Sequence, residues 1–213
     1  MTLAILLLAA AGAAAQTHRL EITLEKQTSG AWRAVDPGLV LEPGDRVRFR
    51  ARANFAGYLY VMNRATSGDY SLLFPREDTG RANRIEAGRD YLVPATDGAF
   101  RVTGPPGHEI VYWLASPVEL SGLPPMPARA PKVPEKLIPR CDDTILRARG
   151  DCVDSSAGLR AVRGAEPLPD NLAGVPQASS RELVFMKQQS AAVVSSPQAL
   201  EGPMIFEFRL AHK

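Results

Sequence analysis

The sequence has little of the residues from which most recognisable sites are built. Its 213 residues include only 2 Cys and 3 His, too few for a zinc cluster made from those residues alone. Lysine and arginine (25) nearly balance aspartate and glutamate (23), so the net charge is +2. This balance argues against a nucleic-acid-binding protein, because binding to phosphates needs a concentrated cationic surplus.

Sequence motifs of catalysis are also missing. The chain contains no G-x-S-x-G, Walker loop, G-x-G-x-x-G or H-E-x-x-H. His108 beside Glu109 invites a general-base interpretation, since a histidine next to an acid can move protons. We expect a protein without catalytic residues, metal or cofactor. An enzyme such as a hydrolase, with an unrecognised site near His108 and Glu109, is the alternative.

No apolar run reaches membrane-spanning length. The longest, residues 3–15, is shorter than the roughly 20 residues that a spanning helix needs. It suits the apolar part of a secretory signal, and small residues precede Gln16 as at a cleavage site. The segment before it carries no Lys or Arg, which departs from the usual signal, and a buried N-terminal helix is the alternative. We expect a signal peptide over residues 1–15, cleaved near Ala15/Gln16, and a periplasmic or secreted protein.

Alternation with period two dominates residues 16–119. Leu20, Ile22 and Leu24 share one face of a predicted strand, and the segments Tyr58–Asn63 and Ile110–Ala115 are apolar on both faces. Turn signals separate many short strands, which is typical of a sandwich or barrel. The predicted fold is therefore all-β, an immunoglobulin-like β-sandwich.

The composition changes after Glu119. Prolines crowd residues 121–139, and Phe185 is the single aromatic residue between Leu120 and Pro203. We expect residues 120–202 to be mostly loop and linker, with a helical turn at 143–149 and a strand at 182–188. In residues 203–213, Met204, Phe206, Phe208 and Leu210 alternate with Glu207 and Arg209. This segment is predicted to return as a C-terminal strand that completes the sandwich, with its four apolar residues more buried than Glu207 and Arg209.

Cys141 and Cys152 lie in the Pro-rich region and are predicted to form a structural disulfide, as expected of an exported chain. Their spacing of ten intervening residues disfavours a redox or metal pair. The nearby carboxylates do not follow the calcium-binding pattern of an EF-hand, so a solvated charged loop is expected there. These carboxylates are Asp142, Asp143, Asp151 and Asp154.

Arginines form a row on one face of a predicted strand, at Arg46, Arg48, Arg50 and Arg52. This row could contact an anionic glycan, phosphate or lipid surface. The alternative is a solvent-facing strand paired with acids such as Glu21 and Glu25. An aromatic platform for carbohydrate is a further possibility, although large aromatic side chains on central strands usually belong to the core. Its members would be Tyr58, Tyr60, Tyr112 and Trp113.

An ordered series of motifs resembles the bacterial domain-of-unknown-function family 4384 over roughly residues 40–119. The series consists of the arginine row, Gly57-Tyr58-Leu59-Tyr60-Val61-Met62-Asn63, Leu72-Leu73-Phe74-Pro75, Asn83 and Ile85 before Ala87-Gly88, Pro94, and Pro105-Pro106-Gly107-His108-Glu109. His108 stands where the family commonly has Thr. The resemblance implies an exported or envelope-associated accessory β-domain, and it carries no catalytic residue.

Together these features predict a non-catalytic exported module that binds a protein or an envelope component. The expected contact surface is either the arginine row or an exposed sheet edge that accepts a partner strand.

Overall fold

The computed structural model describes most of the chain. These residues are 17–75, 83–95, 98–120, 127–128, 130, 138–142, 150–162, 168–173, 175, 183–197, 200 and 202–213. The predicted signal peptide and the predicted helical turn at 143–149 lie outside the described residues.

Within the described residues, the chain forms antiparallel strands and one short helix, α1 (Asp170–Ala173). The strands are β1 (His18–Thr28), β2 (Ala31–Ala34), β3 (Arg46–Ala53), β4 (Gly57–Arg64), β5 (Tyr70–Phe74), β6 (Arg84–Ile85), β7 (Asp90–Val93), β8 (Phe100–Arg101), β9 (Gly107–Ser116), β10 (Gly158–Ala161), β11 (Val184–Gln188), β12 (Ala191–Ser196) and β13 (Met204–His212).

Two sheets make up the predicted sandwich, which is confirmed. Sheet I has the order β11-β12-β1-β3-β7, with β2 beside β1 and β8 beside β3. Sheet II has the order β10-β13-β9-β4-β5, with β6 beside β4. Consecutive strands often lie in different sheets, so each sheet joins segments that are far apart in the sequence.

The core between the sheets follows from the alternation read in the sequence. Phe49 on β3 makes edge-to-face contacts with Trp113 on β9 and with Phe208 on β13, at ring distances of 5.4 and 5.0 Å. Such geometry is favoured because the electropositive edge of one ring meets the electronegative face of the other. Gly57 lies where β4 approaches β9 most closely, since a Cβ there would be 2.2 Å from the carbonyl oxygen of Ser116.

The predicted return of the C-terminal segment is confirmed, because β13 pairs with β9 from Met204 to His212. The prediction that its apolar residues are more buried than Glu207 and Arg209 is wrong. Glu207 is 0% exposed and Arg209 is 1% exposed, and they are joined by an ion pair of 2.7 Å between Arg209 Nε and Glu207 Oε1. Alternation does separate the two faces of β13, but both faces are covered.

A second apolar cluster covers the outer face of sheet II. Leu172 of α1 is buried against Tyr112 of β9 and its neighbours, and Val162 and Val175 pack at the margin. Residues 120–202 therefore contribute to the packed structure beyond the predicted strand near 182–188. They supply β10 to sheet II and the hairpin of β11 and β12 to sheet I.

The predicted disulfide between Cys141 and Cys152 is confirmed, with the Cα atoms 4.9 Å apart. The chain at Cys152 and Asp154, on one side of the bridge, is held against the segment after β2. Val40 donates its backbone N–H to the carbonyl of Cys152 at 2.8 Å, and Asp154 donates its N–H to the carbonyl of Gly38 at 2.8 Å. The bridge thus constrains a part of the chain that is also tied to the sandwich by main-chain bonds.

Candidate functional site

The arginine face is the outer surface of β3 together with its neighbours in sheet I. Val47, Phe49 and Ala51 point into the core, so the four arginines of β3 point outward. Glu25 on β1 lies directly opposite Arg48 and binds two of them. Its carboxylate accepts a bond of 2.7 Å from Arg48 Nε and lies 3.1 Å from Arg50 Nη2.

The opposite end of the row is partly balanced by β7. Asp90 lies across from Arg52, with the carboxylate 4.0 Å from Arg52 Nε and 3.9 Å from Arg50 Nη1. Glu21, also expected to balance the row, pairs instead with Arg19 at 3.1 Å. Two acids, of which sequence reasoning had named Glu25, therefore offset part of the positive charge of Arg48, Arg50 and Arg52.

Arg46 differs from the rest of the row. It pairs across the strands with Arg101 of β8, so two exposed guanidinium side chains stand opposite each other on one face. In the described part of the chain neither side chain forms an ion pair. Like charges directly opposite each other in a sheet are destabilising. Sequence reasoning missed Arg101 as a member of this face because the sequence does not show that β8 pairs with β3.

Trp32 adds an aromatic ring to this end of the face. The guanidinium of Arg48 lies 4.3 Å from the centre of the Trp32 ring, within the range of a cation–π contact. Arg48 is thereby held both by the ring and by the carboxylate of Glu25. Its orientation is set before any ligand arrives.

His108 lies in a polar cluster that has the residue types of a hydrolytic triad but not its geometry. His108 Nε2 is 3.2 Å from Asp154 Oδ2 and also 3.2 Å from the Ser156 hydroxyl. A triad needs the acid on one ring nitrogen and the serine on the other, so that the ring can accept the serine proton. Here both groups meet the same nitrogen.

Asp154 serves instead as an anchor for the disulfide loop. Its carboxylate accepts backbone N–H bonds from Ser156 at 2.7 Å and Arg140 at 2.9 Å. Burial acts to raise its pKa, but these hydrogen bonds and the charge of His108 outweigh that effect and hold the pKa below its usual value. The cluster ties β9 to the loop that carries the bridge.

Glu109 does not join His108. Adjacent residues on a strand point to opposite faces, and Glu109 points away from the His108 cluster, accepting a bond of 3.0 Å from Asn63 Nδ2 on β4. Burial raises the pKa of Glu109, and the bond from Asn63 offsets part of that increase. The structure therefore does not bring the two residues of the alternative catalytic hypothesis together.

Replacing Glu109 by Gln is expected to alter the pH dependence of stability. A carboxyl group with a raised pKa in the folded state contributes stability that is complete below its unfolded pKa of about 4.5 and is lost as pH rises through the folded pKa. The variant keeps an amide for Asn63 but cannot ionise. We expect similar melting temperatures near pH 4 and a higher one for the variant at pH 8. A variant that is less stable than the wild type at pH 8 would contradict this.

The aromatic residues divide between the two apolar clusters. Trp113 is buried between the sheets, and Tyr112 is buried on the opposite face of β9. Tyr58 and Tyr60 are half-buried, and Tyr60 packs at the margin of the second cluster. Tyr112 and Trp113 thus belong to the packed interior, which removes half of the aromatic platform considered from the sequence.

The predicted sheet edge is represented by β11, which ends the order of sheet I. Val184 and Met186 are 45% and 43% exposed on this strand. They lie three strands away from β3, at the other margin of the same sheet. The two contact surfaces expected from the sequence are therefore separate.

The residues of the family motif occupy strand starts, ends and centres. Gly57 begins β4, Leu59 is 0% exposed, Phe74 ends β5 and Gly107 begins β9. The others take neighbouring places: Tyr58 and Tyr60 on β4, Pro75 after β5, Pro106 before β9, and Glu109 on β9. Their positions explain the motif through packing and turns.

Within the described residues, no helix has the length and hydropathy of a membrane span, and no three His, Cys, Asp or Glu side chains are placed to hold a metal ion.

Comparison with known proteins gives one match. No curated protein and no solved structure matches the chain. Residues 40–119, which contain β3 to β9, match the family described as a domain of unknown function, DUF4384, as the series of motifs predicted.

Proposed function

We propose that the protein is a non-catalytic exported module that binds an anionic component of the cell envelope through the arginine face. The observation that supports this most directly is the opposition of Arg46 and Arg101, two exposed cations in adjacent strands. A sheet gains nothing in stability from such a pair. Local rules of this kind are broken chiefly where a site needs the charge.

Export is supported by the disulfide and by the signal-like N-terminal sequence. Disulfides persist in oxidising compartments such as the periplasm and are rare in the cytosol. Next to the bridge of Cys141 and Cys152, main-chain bonds tie Cys152 and Asp154 to Val40 and Gly38. A protein in that compartment meets envelope polymers and the outer surfaces of membranes.

Binding of the purified protein to an envelope fraction tests the proposal. We expect binding to weaken steeply between about 0.05 and 0.5 M salt, because exposed charges are screened within a few ångströms at high ionic strength. The triple variant Arg46→Ser, Arg52→Ser, Arg101→Ser should bind at least about tenfold more weakly, since charge-assisted contacts are each worth 1.5–3 kcal/mol. Arg48 is left in place because Glu25 is only 6% exposed and its carboxylate accepts a hydrogen bond from Arg48.

A control for the loss of positive charge removes two exposed arginines outside the arginine face. Arg84 on β6 and Arg140 beside the disulfide loop are both exposed, and the variant Arg84→Ser, Arg140→Ser should keep the affinity within about twofold. Binding that survives high salt and is unchanged in the triple variant would point to the β11 edge, because main-chain pairing is insensitive to salt. That result would overturn the arginine face as the contact surface.

The non-catalytic part has its own test. A broad screen for hydrolase, transferase and redox turnover is expected to find none. Turnover that disappears in Glu109→Gln or His108→Ala, with the melting temperature retained, would contradict the proposal.

A further inference from the structure

We propose that Arg46, Arg101 and Arg48 form an anion subsite whose ligand is a linear polysaccharide bearing carboxylate or sulfate groups. This inference rests on the proposed function and assigns it a ligand class and a position. The subsite lies at the end of the arginine face where β3 meets β8.

In the part of the chain that the structure describes, the positive charge that has no acid beside it is concentrated at the Arg46 end of the arginine face. Arg50 lies within 4 Å of both Glu25 and Asp90, and Arg52 reaches Asp90. A ligand at that end must compete with Asp90 and with Glu25, which also binds Arg48. Among the described residues, Arg46 and Arg101 have no acid to displace, so an incoming carboxylate or sulfate meets two planar guanidinium groups at once.

The spacing along β3 suits a regular polyanion. Alternate residues of a strand are about 6.8 Å apart, so the four arginines mark a straight row about 20 Å long. A stiff polymer with charges at regular intervals can lie along such a row without losing much conformational freedom. A flexible acidic peptide would have to be ordered on binding, which costs conformational entropy for each residue fixed.

A membrane surface fits the face less well. Among the described residues, the exposed large apolar side chains on the strands of sheet I are Val184 and Met186, which lie on β11 at the opposite margin. Insertion of those side chains into a bilayer would not bring the Arg46 end to the headgroups. The charged end and the apolar end are separated by β12 and β1, and Glu21 lies on the latter.

Trp32 orients Arg48 before a ligand binds, and its fluorescence can report the binding. It holds Arg48 in place beside Arg46 on the same face, and it is only half-buried. The other tryptophan, Trp113, is 0% exposed in the core. A ligand at the subsite should therefore change the fluorescence of Trp32 and leave that of Trp113 unaffected.

The experiment titrates the purified protein with polygalacturonate, dextran sulfate, neutral dextran, poly-glutamate and phosphatidylglycerol vesicles at low salt. We expect the two anionic polysaccharides to bind and to change the tryptophan emission, a change that Trp32→Phe removes. Neutral dextran should not bind. Arg46→Ser with Arg101→Ser should weaken binding about tenfold or more, whereas Arg50→Ser with Arg52→Ser, an equal loss of charge on the same face, should weaken it about threefold or less.

The outcomes separate this inference from the proposed function. Equal losses in the two double variants would remove the subsite and leave the arginine face as the contact surface. Tighter binding to poly-glutamate or to vesicles than to the polysaccharides would overturn the ligand class. Retention of envelope binding by the triple variant would overturn the proposed function as well.

Discussion

A chain that ends at Pro203 is expected to lose cooperative folding. The missing strand, β13, lies between β9 and β10, and all nine of its residues are buried. Each large apolar side chain that is buried contributes about 1.5–3 kcal/mol, so the strand's apolar residues match the 5–15 kcal/mol that stabilise a typical domain. Near-ultraviolet circular dichroism and urea titration of the truncated chain would measure the loss.

A point variant gives a graded version of this test. Phe208→Ala should lower the free energy of unfolding by about 3–5 kcal/mol, because the ring is 0% exposed and contacts Phe49. Lys213→Ala, at an exposed residue that follows the strand, should change it by less than about 0.5 kcal/mol. An unchanged melting temperature after truncation would show that β13 is dispensable.

Breaking the buried ion pair of β13 should lower the free energy of unfolding by nearly as much as Phe208→Ala does. Glu207→Leu would leave Arg209, 1% exposed, without the carboxylate to which its Nε donates, and removing one partner of a buried pair costs about 3–5 kcal/mol. Arg209→Met should have a similar effect. The double variant should recover most of the loss, since an apolar pair of similar volume needs no compensating charge.

Urea unfolding of the wild type, both single variants and the double variant forms a complete cycle. The expected coupling between the two sites is several kcal/mol, far above the roughly 0.5 kcal/mol seen for independent positions. Single losses under about 1 kcal/mol that simply add in the double variant would show that the pair is solvated.

The alternation of apolar and polar residues in the sequence correctly predicted the strands whose two faces differ in polarity. Leu20, Ile22 and Leu24 on β1 and Val47 and Phe49 on β3 are all 0% exposed, as their period-two pattern predicts. The strands β10 and β12 escaped prediction because Gly158–Ala161 is short and Ala191–Ser196 has no polar alternate. These segments form strands because β10 pairs with β13 and β12 pairs with β1.

The burial of Glu207 and Arg209 could not be read from the sequence. A charged residue that alternates with Phe and Leu ordinarily faces water, and the pattern carries no information about a covering layer. The outer face of sheet II carries the second apolar cluster, in which Leu172 is buried with Ile205 of β13, and Leu172 lies more than 30 residues before Glu207 in the chain. The segment lacks aromatic residues and is rich in proline, so its composition suggests a linker rather than a lid.

The sequence by itself determined that four arginines share a face, that two cysteines are within reach of each other, and that residues 40–119 carry the DUF4384 motifs. The tertiary structure decided which of these arginines lie beside a carboxylate. Glu25 and Asp90 reach the row from β1 and β7, and Arg101 faces Arg46 from β8. These charges act through space over a few ångströms, and strand register, which depends on the whole sheet, sets those distances.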